Sequence, residues 1–122
     1  MTAPSAGSAR QAGKGRILIV DDEQGMRDLL RAILEFDYHV SEADSGAALH
    51  KALEAEQPDV VLLDMKLPDA NGLGLLPAIK QRWPATEVIM LSGAPTDHGA
   101  ASWTAEAVKG GAFGFLPKSA EF

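Results

Sequence analysis

The sequence contains no cysteine and no long apolar run. Without cysteine the chain cannot form disulfides, thiolate metal sites or a cysteine nucleophile, and this suits a reducing compartment such as the cytoplasm. The longest apolar runs cover residues 17–20, 60–63 and 88–91, whereas a membrane-spanning helix needs about 18 apolar residues. We therefore expect a cytoplasmic protein without a membrane segment.

Basic residues are scarce as well. The net charge is −6, from 11 Lys and Arg against 17 Asp and Glu, and only eight of the basic residues lie beyond residue 16. A surface this acidic repels phosphate backbones, so we expect no direct nucleic-acid binding by this domain. At 122 residues, of which 46% are hydrophobic, the chain has room for one globular domain.

The first 15 residues are mainly Ala, Gly, Ser and basic residues. Such a stretch buries too little apolar surface to offset the entropy lost on ordering, so we predict a flexible tail over residues 1–15 and a folded domain over 16–122. The Gly13-Lys14 pair does not match a phosphate-binding loop, because Ser8 stands where that pattern needs Gly and Gly15 stands where it needs Ser or Thr.

Beyond the tail, short apolar runs alternate with stretches of helical periodicity. Runs at 16–20, 39–43, 59–63, 86–91 and 112–116 predict five strands. The stretches between them predict four helices; the first carries an apolar stripe, and Ser45 can cap the second. This alternation predicts an α/β fold with a doubly wound parallel sheet and helices on both faces.

Polar side chains follow four of the predicted strands. They are Asp21 with Asp22, Asp64, Ser92 and Lys118. Ligands of open α/β sheets bind beyond the carboxyl ends of the strands, so we expect these side chains to converge on one edge. Two carboxylates about 4 Å apart repel by roughly 4 kcal/mol at an effective dielectric near 20. The cluster therefore calls for a cation, and an all-oxygen ligand set suits Mg²⁺.

The same edge has the groups that phosphoryl transfer requires. A carboxylate beside Mg²⁺ can accept a phosphoryl group if the charge on the transferring oxygens is neutralised. Lys118 can supply a positive charge and Ser92 a hydroxyl donor. The residues alone thus predict a Mg²⁺-dependent phosphoryl-acceptor site assembled from four strand ends.

Four motifs resemble the receiver domain of two-component response regulators, most closely receivers of the nitrogen-regulation type. They are ILIVDDE (17–23), VVLLDMKLPDANG (60–72), VIMLSG (88–93) and GAFGFLPKS (111–119). The spacings of 42 residues from Asp22 to Asp64 and 28 from Asp64 to Ser92 are close to those of that family. The resemblance covers residues 16 to about 118 and implies a five-stranded, flavodoxin-like sheet of order 2-1-3-4-5.

The resemblance also implies roles for the residues of the acidic edge. Asp64 would accept the phosphoryl group from a phosphohistidine on a sensor histidine kinase. Asp22 would bind Mg²⁺ directly and Asp21 directly or through water. The carboxylate of Asp64 and the main-chain carbonyl of Lys66 would complete the protein ligands.

The remaining implied roles concern the conformational switch. Ser92 would be the switch hydroxyl, Lys118 would pair with the phosphoryl group, and Phe115 would be the switch aromatic that turns inward. Control would pass to an output domain or protein outside this chain, such as a transcription regulator. The domain itself would not be an enzyme beyond self-dephosphorylation, whose rate Lys66 and Ala94 would influence.

The sequence departs from the family pattern in four ways. The 26 residues from Ser92 to Lys118 form a longer segment than the family has, and Ser119 replaces the usual Pro. Pro77 lies inside the third predicted helix, where it removes a backbone hydrogen bond unless the helix starts late. Only four residues follow Lys118, so we expect the fifth helix to be missing. The bare apolar flank would favour a homodimer or the exchange of strands and helices.

Other interpretations remain open from the residues. The acidic pair Asp21-Asp22 would also suit a helix N-terminus, Asp64 an ordinary turn, Ser92 a Ser-Gly turn and Lys118 a solvated surface position. At the level of function, the alternatives are an Asp-nucleophile phosphohydrolase and a receiver-like interaction module that phosphorylation does not regulate.

Overall fold

A computed structural model describes residues 14–92 and 106–118 of the chain. Five parallel strands form its main sheet: β1 (Arg16–Val20), β2 (His39–Ala43), β3 (Val60–Asp64), β6 (Glu87–Ser92) and β7 (Gly114–Pro117). Between β3 and β6 lies a short antiparallel hairpin of β4 (Lys66–Leu67) and β5 (Ala70–Asn71). The helices are α1 (Gln24–Leu34), α2 (Gly46–Ala55) and α3 (Gly72–Arg82), and residues 106–109 are also helical.

The order of the main sheet is β2-β1-β3-β6-β7. Counting only these five strands, this is the order 2-1-3-4-5, and every neighbouring pair is parallel. The predicted fold class, a doubly wound flavodoxin-like sheet with helices, is therefore confirmed. The predicted strand 39–43 is β2 and lies at the edge of the sheet.

The two faces of the sheet bury separate apolar clusters, because successive side chains of a strand point to opposite faces. One cluster joins the sheet to α2 and α3 through Leu49, Leu53, Leu76 and Ile79. The other joins it to α1 through Leu30. Helices on both faces hold the central strands rigidly, and this fixes where the carboxyl ends of those strands lie.

Helix α1 is less buried than its apolar stripe predicts. Leu30 is 3% exposed, whereas Leu29 and Ile33 are 45% and 40% exposed. The stripe is wider than the contact that α1 makes with the described part of the sheet. Phe36, just beyond the helix, is also exposed.

The starts of α2 and α3 show which local predictions were right. Ser45 caps α2 as predicted, and its hydroxyl oxygen accepts a hydrogen bond from the Ala48 N–H at 3.1 Å. Helix α3 already begins at Gly72 and contains Pro77. It does not start late, so the carbonyl of Leu73 loses the N–H that a non-proline residue would donate four positions later.

Several predictions lie outside the described residues. They concern the tail up to residue 13, most of the long segment between Ser92 and Lys118, the position of Ala94, and Ser119 with the last three residues. Within residues 14–92 and 106–118, no helix is long and apolar enough to cross a membrane.

Candidate functional site

Strand register brings four of the predicted residues to one edge of the sheet. Asp64 ends β3 opposite Leu91, and Ser92 ends β6 opposite Pro117. Asp21 follows β1, and Lys118 follows β7, where its N–H donates to the carbonyl of Ser92 at 2.6 Å. All four strands are parallel, so their carboxyl ends meet at this edge, as the sequence predicts.

Three carboxylates cluster at the edge. Asp21, Asp22 and Asp64 each offer one oxygen, and these oxygens lie within 4.8 Å of one another. Asp21 and Asp64 are buried, whereas Asp22 is exposed. The Asp21 Oδ2 atom is fully buried, and Lys118 Nζ lies 2.9 Å from it. Three carboxylate oxygens this close together form an all-oxygen cluster that suits a hard divalent cation such as Mg²⁺.

Lys118 lies among these acidic side chains. Its Nζ is 2.9 Å from Asp21 Oδ2, 3.1 Å from Asp64 Oδ2 and 3.4 Å from Glu23 Oε1. Burial works against its charge, but the contacts with the carboxylates of Asp21 and Asp64 prevail and raise the pKa of Lys118 above its ordinary value. Lys118 is therefore positively charged at neutral pH within the cluster.

Asp64 is the second buried carboxylate of this cluster and ends β3. Burial raises the pKa of Asp64 above its ordinary value, the contact with Lys118 opposes that rise, and the nearby Asp21 adds to it. Its Oδ1 atom accepts a 3.3 Å hydrogen bond from the N–H of Lys66. One carboxylate oxygen thus contacts the loop after β3, while the other contacts Lys118.

The residues of the predicted switch differ in exposure. Ser92 is buried at the end of β6, whereas Phe115 lies within β7 with 46% of its surface exposed. Lys66 belongs to β4 and is exposed. Phe115 is the second residue of β7 and lies three residues before Lys118.

Sequence reasoning missed the arginines that support the acidic turn. Arg27 on α1 donates through Nη1 to the main-chain carbonyl of Asp21 at 2.7 Å and through Nε to Glu42 at 3.0 Å. Arg31, one helical turn later, also bonds to Glu42. The spacing of the two arginines is a visible helical pattern, but their shared partner lies on β2. Only the tertiary structure reveals this network.

We expect Glu42→Gln to lower the free energy of unfolding by about 1 kcal/mol at pH 7, a value reduced for partial exposure. The hydrogen bond from Arg31 lowers the pKa of Glu42, burial opposes this shift, and Arg27 adds to it. Because the pKa of Glu42 is lower in the folded protein, its carboxylate stabilises the fold at pH values above the ordinary pKa of 4.5. This contribution to stability is lost as the pH falls through the folded-state pKa. Urea unfolding should therefore show the two proteins converging below pH 4.5.

Glu35→Gln is the matched control, because Glu35 is more exposed and lies 3.9 Å from Arg31. It should change the stability by less than about 0.5 kcal/mol. Equal effects of the two substitutions at neutral pH would contradict the role assigned to Glu42.

Comparisons with known proteins show what the chain is similar to. The family model described as "Response regulator receiver domain" matches residues 17–122. Over 106 residues the chain is 38% identical to the DNA-binding transcriptional regulator NtrC of Proteus hauseri, and over 104 residues it is 38% identical to the response regulator protein PilR of Pseudomonas aeruginosa. These alignments cover 86% and 84% of this chain but 22% of each relative.

A solved structure shows the same architecture. The receiver domain of NtrX from Brucella abortus superposes with a TM-score of 0.76 at 33% identity. The superposition covers 86% of this chain and 87% of that domain. The chain therefore spans about a fifth of the length of the regulators it matches, but most of the length of an isolated receiver.

Proposed function

The chain belongs to the family of response regulator receiver domains, and from that premise we propose that Asp64 accepts a phosphoryl group in a Mg²⁺-dependent reaction. A receiver domain is a signalling domain and not itself an enzyme. The observation that carries the proposal is the placement of the buried Asp64 carboxylate 3.1 Å from Lys118 Nζ and beside Asp21 and Asp22.

The proposed donor is a phosphohistidine on a sensor histidine kinase. An oxygen of the Asp64 carboxylate attacks phosphorus, the phosphorus–nitrogen bond breaks, and the departing imidazole takes up a proton. When bound, Mg²⁺ supplies positive charge to the oxygens of the transferring group. Asp21, Asp22, Asp64 and the carbonyl of Lys66 would hold the ion.

Lys118 and Ser92 bind the phosphoryl group once it is attached to Asp64. Phosphorylation adds a charge of about −1.5 to −2 and strong acceptor oxygens. Lys118 exchanges its contact with the Asp64 carboxylate for one with a phosphoryl oxygen, and the hydroxyl of Ser92 donates to another. Ser92 ends β6 and Lys118 directly follows β7, so their movement shifts the adjoining loops between two conformations.

Phe115 carries the change to the surface in this proposal. Its side chain is about half-exposed in the structure, so a change in its orientation would alter the surface of the domain. After phosphorylation it turns inward and alters the outer face for a partner. Self-dephosphorylation, at a rate influenced by Lys66 and Ala94, returns the domain to its first state.

The proposed output of the domain, control of transcription, is based on the functions of its relatives. NtrC is a DNA-binding transcriptional regulator and PilR a response regulator protein. We propose that this domain acts in the cytoplasm and controls transcription through an output domain or protein, without itself touching DNA. Homodimerisation through exposed apolar surface, such as Leu29 and Ile33 of α1, is a further element of the proposal.

The test is adduct formation at Asp64. The 122-residue chain is incubated with Mg²⁺ and either acetyl phosphate or beryllofluoride, and the adduct is followed by native mass spectrometry and tryptophan fluorescence. We expect one adduct per chain. A chelator added beforehand should prevent both adducts, whereas a chelator added afterwards should release only beryllofluoride, because the acyl phosphate is covalent. Asp64→Asn should abolish the adduct, whereas Asp28→Asn, which changes an exposed carboxylate on α1, should leave it unchanged.

Two outcomes would overturn the proposal. One is an adduct that persists in Asp64→Asn. The other is a wild-type chain that gives no adduct at millimolar Mg²⁺, which would favour an interaction module that phosphorylation does not regulate.

A further inference from the structure

The loop that follows Asp64 is fastened to a distant helix by one side chain. Asp69, between β4 and β5, accepts hydrogen bonds from the N–H groups of Gly46 at 2.7 Å and Ala47 at 3.0 Å. These two N–H groups belong to the first turn of α2, 22 and 23 residues earlier in the chain. The bonds lower the pKa of Asp69, so it remains a carboxylate at neutral pH.

The contact is close as well as polar. A Cβ atom on Gly46 would lie 3.1 Å from the Cβ of Ala70 and 3.2 Å from Asp69 Oδ1. Glycine at position 46 thus lets the β4–β5 hairpin approach the start of α2. The remaining donors of that helix end are satisfied locally, because Ser45 accepts from the N–H of Ala48 through Oγ and from that of Leu49 through its carbonyl.

The hairpin connects Asp69 to the acidic edge of the sheet. Lys66 pairs with Asn71 and Leu67 with Ala70 across the two short strands. The N–H of Lys66 donates to Asp64 Oδ1. A constraint on the tip of the hairpin at Asp69 therefore restrains the main chain of Lys66 beside the acceptor.

We propose that Asp69 is a positioning residue that holds the main-chain carbonyl of Lys66 in place for the divalent cation, by bonding the hairpin to the N-terminus of α2. This inference rests on the proposed function, because the cation belongs to it. The competing explanation is that Asp69 only caps α2 and stabilises the fold. The two differ in whether the affinity for Mg²⁺ depends on Asp69 beyond its effect on stability.

Ser45 supplies the matched control, because its side chain caps the same helix and its hydrogen bonds in the described residues are all within that helix. Ser45→Ala should lower Tm by about 4 °C and leave the Kd for Mg²⁺ within about twofold of wild type. Asp69→Ala should raise the Kd about tenfold, the lower end of the effect of losing a group that orients a metal ligand. Isothermal titration calorimetry with Mg²⁺ alone measures the Kd, and amide hydrogen exchange should be faster over residues 66–72 in Asp69→Ala only.

Asp69→Asn separates charge from positioning. It removes the same charge as Asp69→Ala but keeps one acceptor oxygen for the N–H of Gly46, so its Kd should lie between those of wild type and Asp69→Ala. An Asp69→Ala Kd within about twofold of wild type, or equal weakening in Ser45→Ala, would overturn the inference and leave the proposed function intact. A wild-type chain that binds no Mg²⁺ would overturn both.

Discussion

In the absence of divalent cations, Lys118→Met should lower the free energy of unfolding by about 3 kcal/mol at pH 7. The substitution keeps the length of the side chain but removes the ammonium that lies 2.9 Å from Asp21 Oδ2 and 3.1 Å from Asp64 Oδ2. Two buried carboxylates then face each other without a counter-ion. Millimolar Mg²⁺ should restore part of the loss, since the ion supplies the missing charge. Urea unfolding with and without Mg²⁺ measures both effects.

The pH dependence of this effect has a defined sign. The pKa of Lys118 is raised from 10.5 in the folded protein, so its contribution to stability is present below that pH and is lost as the pH rises through the folded-state value. Lys118→Arg should retain most of the stability because it keeps the charge. Lys51→Met on the exposed face of α2 should change it by less than about 0.5 kcal/mol. A Lys118→Met protein as stable as Lys118→Arg would contradict the role of the ion pairs.

Gly72→Ala should lower the free energy of unfolding by about 3 kcal/mol. A Cβ atom at this position would lie 2.2 Å from the main-chain oxygen of Asp64 and 3.2 Å from the Cα of Met65. Both contacts are with backbone, which cannot rotate away as a side chain can. The start of α3 would therefore have to move away from Asp64. Chemical unfolding measures the loss of stability, and we expect weaker Mg²⁺ binding to accompany it.

Gly74 provides the control within the same helix. A Cβ atom there meets nothing within 4 Å, so Gly74→Ala should raise the free energy of unfolding by roughly 0.5–1 kcal/mol through the helix propensity of alanine. Two glycines in one helix thus have opposite expected effects. If Gly72→Ala were stabilising as well, the close packing of α3 against the end of β3 would be refuted.

The predictable part of the fold rests on local patterns. The buried runs at β1, β3 and β6 and the helical stretches between them are strong signals, because strands buried on both faces need continuous apolar sequence. The Ser45 cap is equally local, since its donor is three residues away. The β4–β5 hairpin was not predicted as strands, because two-residue strands carry no periodicity.

The acidic edge was predictable for a topological reason. In a parallel sheet all strands end at the same edge, so the residues that directly follow them lie close together regardless of the path of the loops. This places Asp21, Asp64 and Lys118 in contact. The contacts of Asp69 with α2 were not predictable. They join residues 22 and 23 positions apart, and an Asp in a turn is ordinary chemistry that does not reveal a distant partner.

The sequence by itself determined the architecture of the sheet and the kind of chemistry at its edge, because apolar runs and the polar residues that end them are properties of short segments. The tertiary structure decided how that chemistry is held. Lys118 contacts three carboxylates from two strand ends, Gly72 lies against the Asp64 carbonyl, and Asp69 fastens the hairpin to α2. Each of these contacts depends on the relative placement of packed elements, which no spacing within one element specifies.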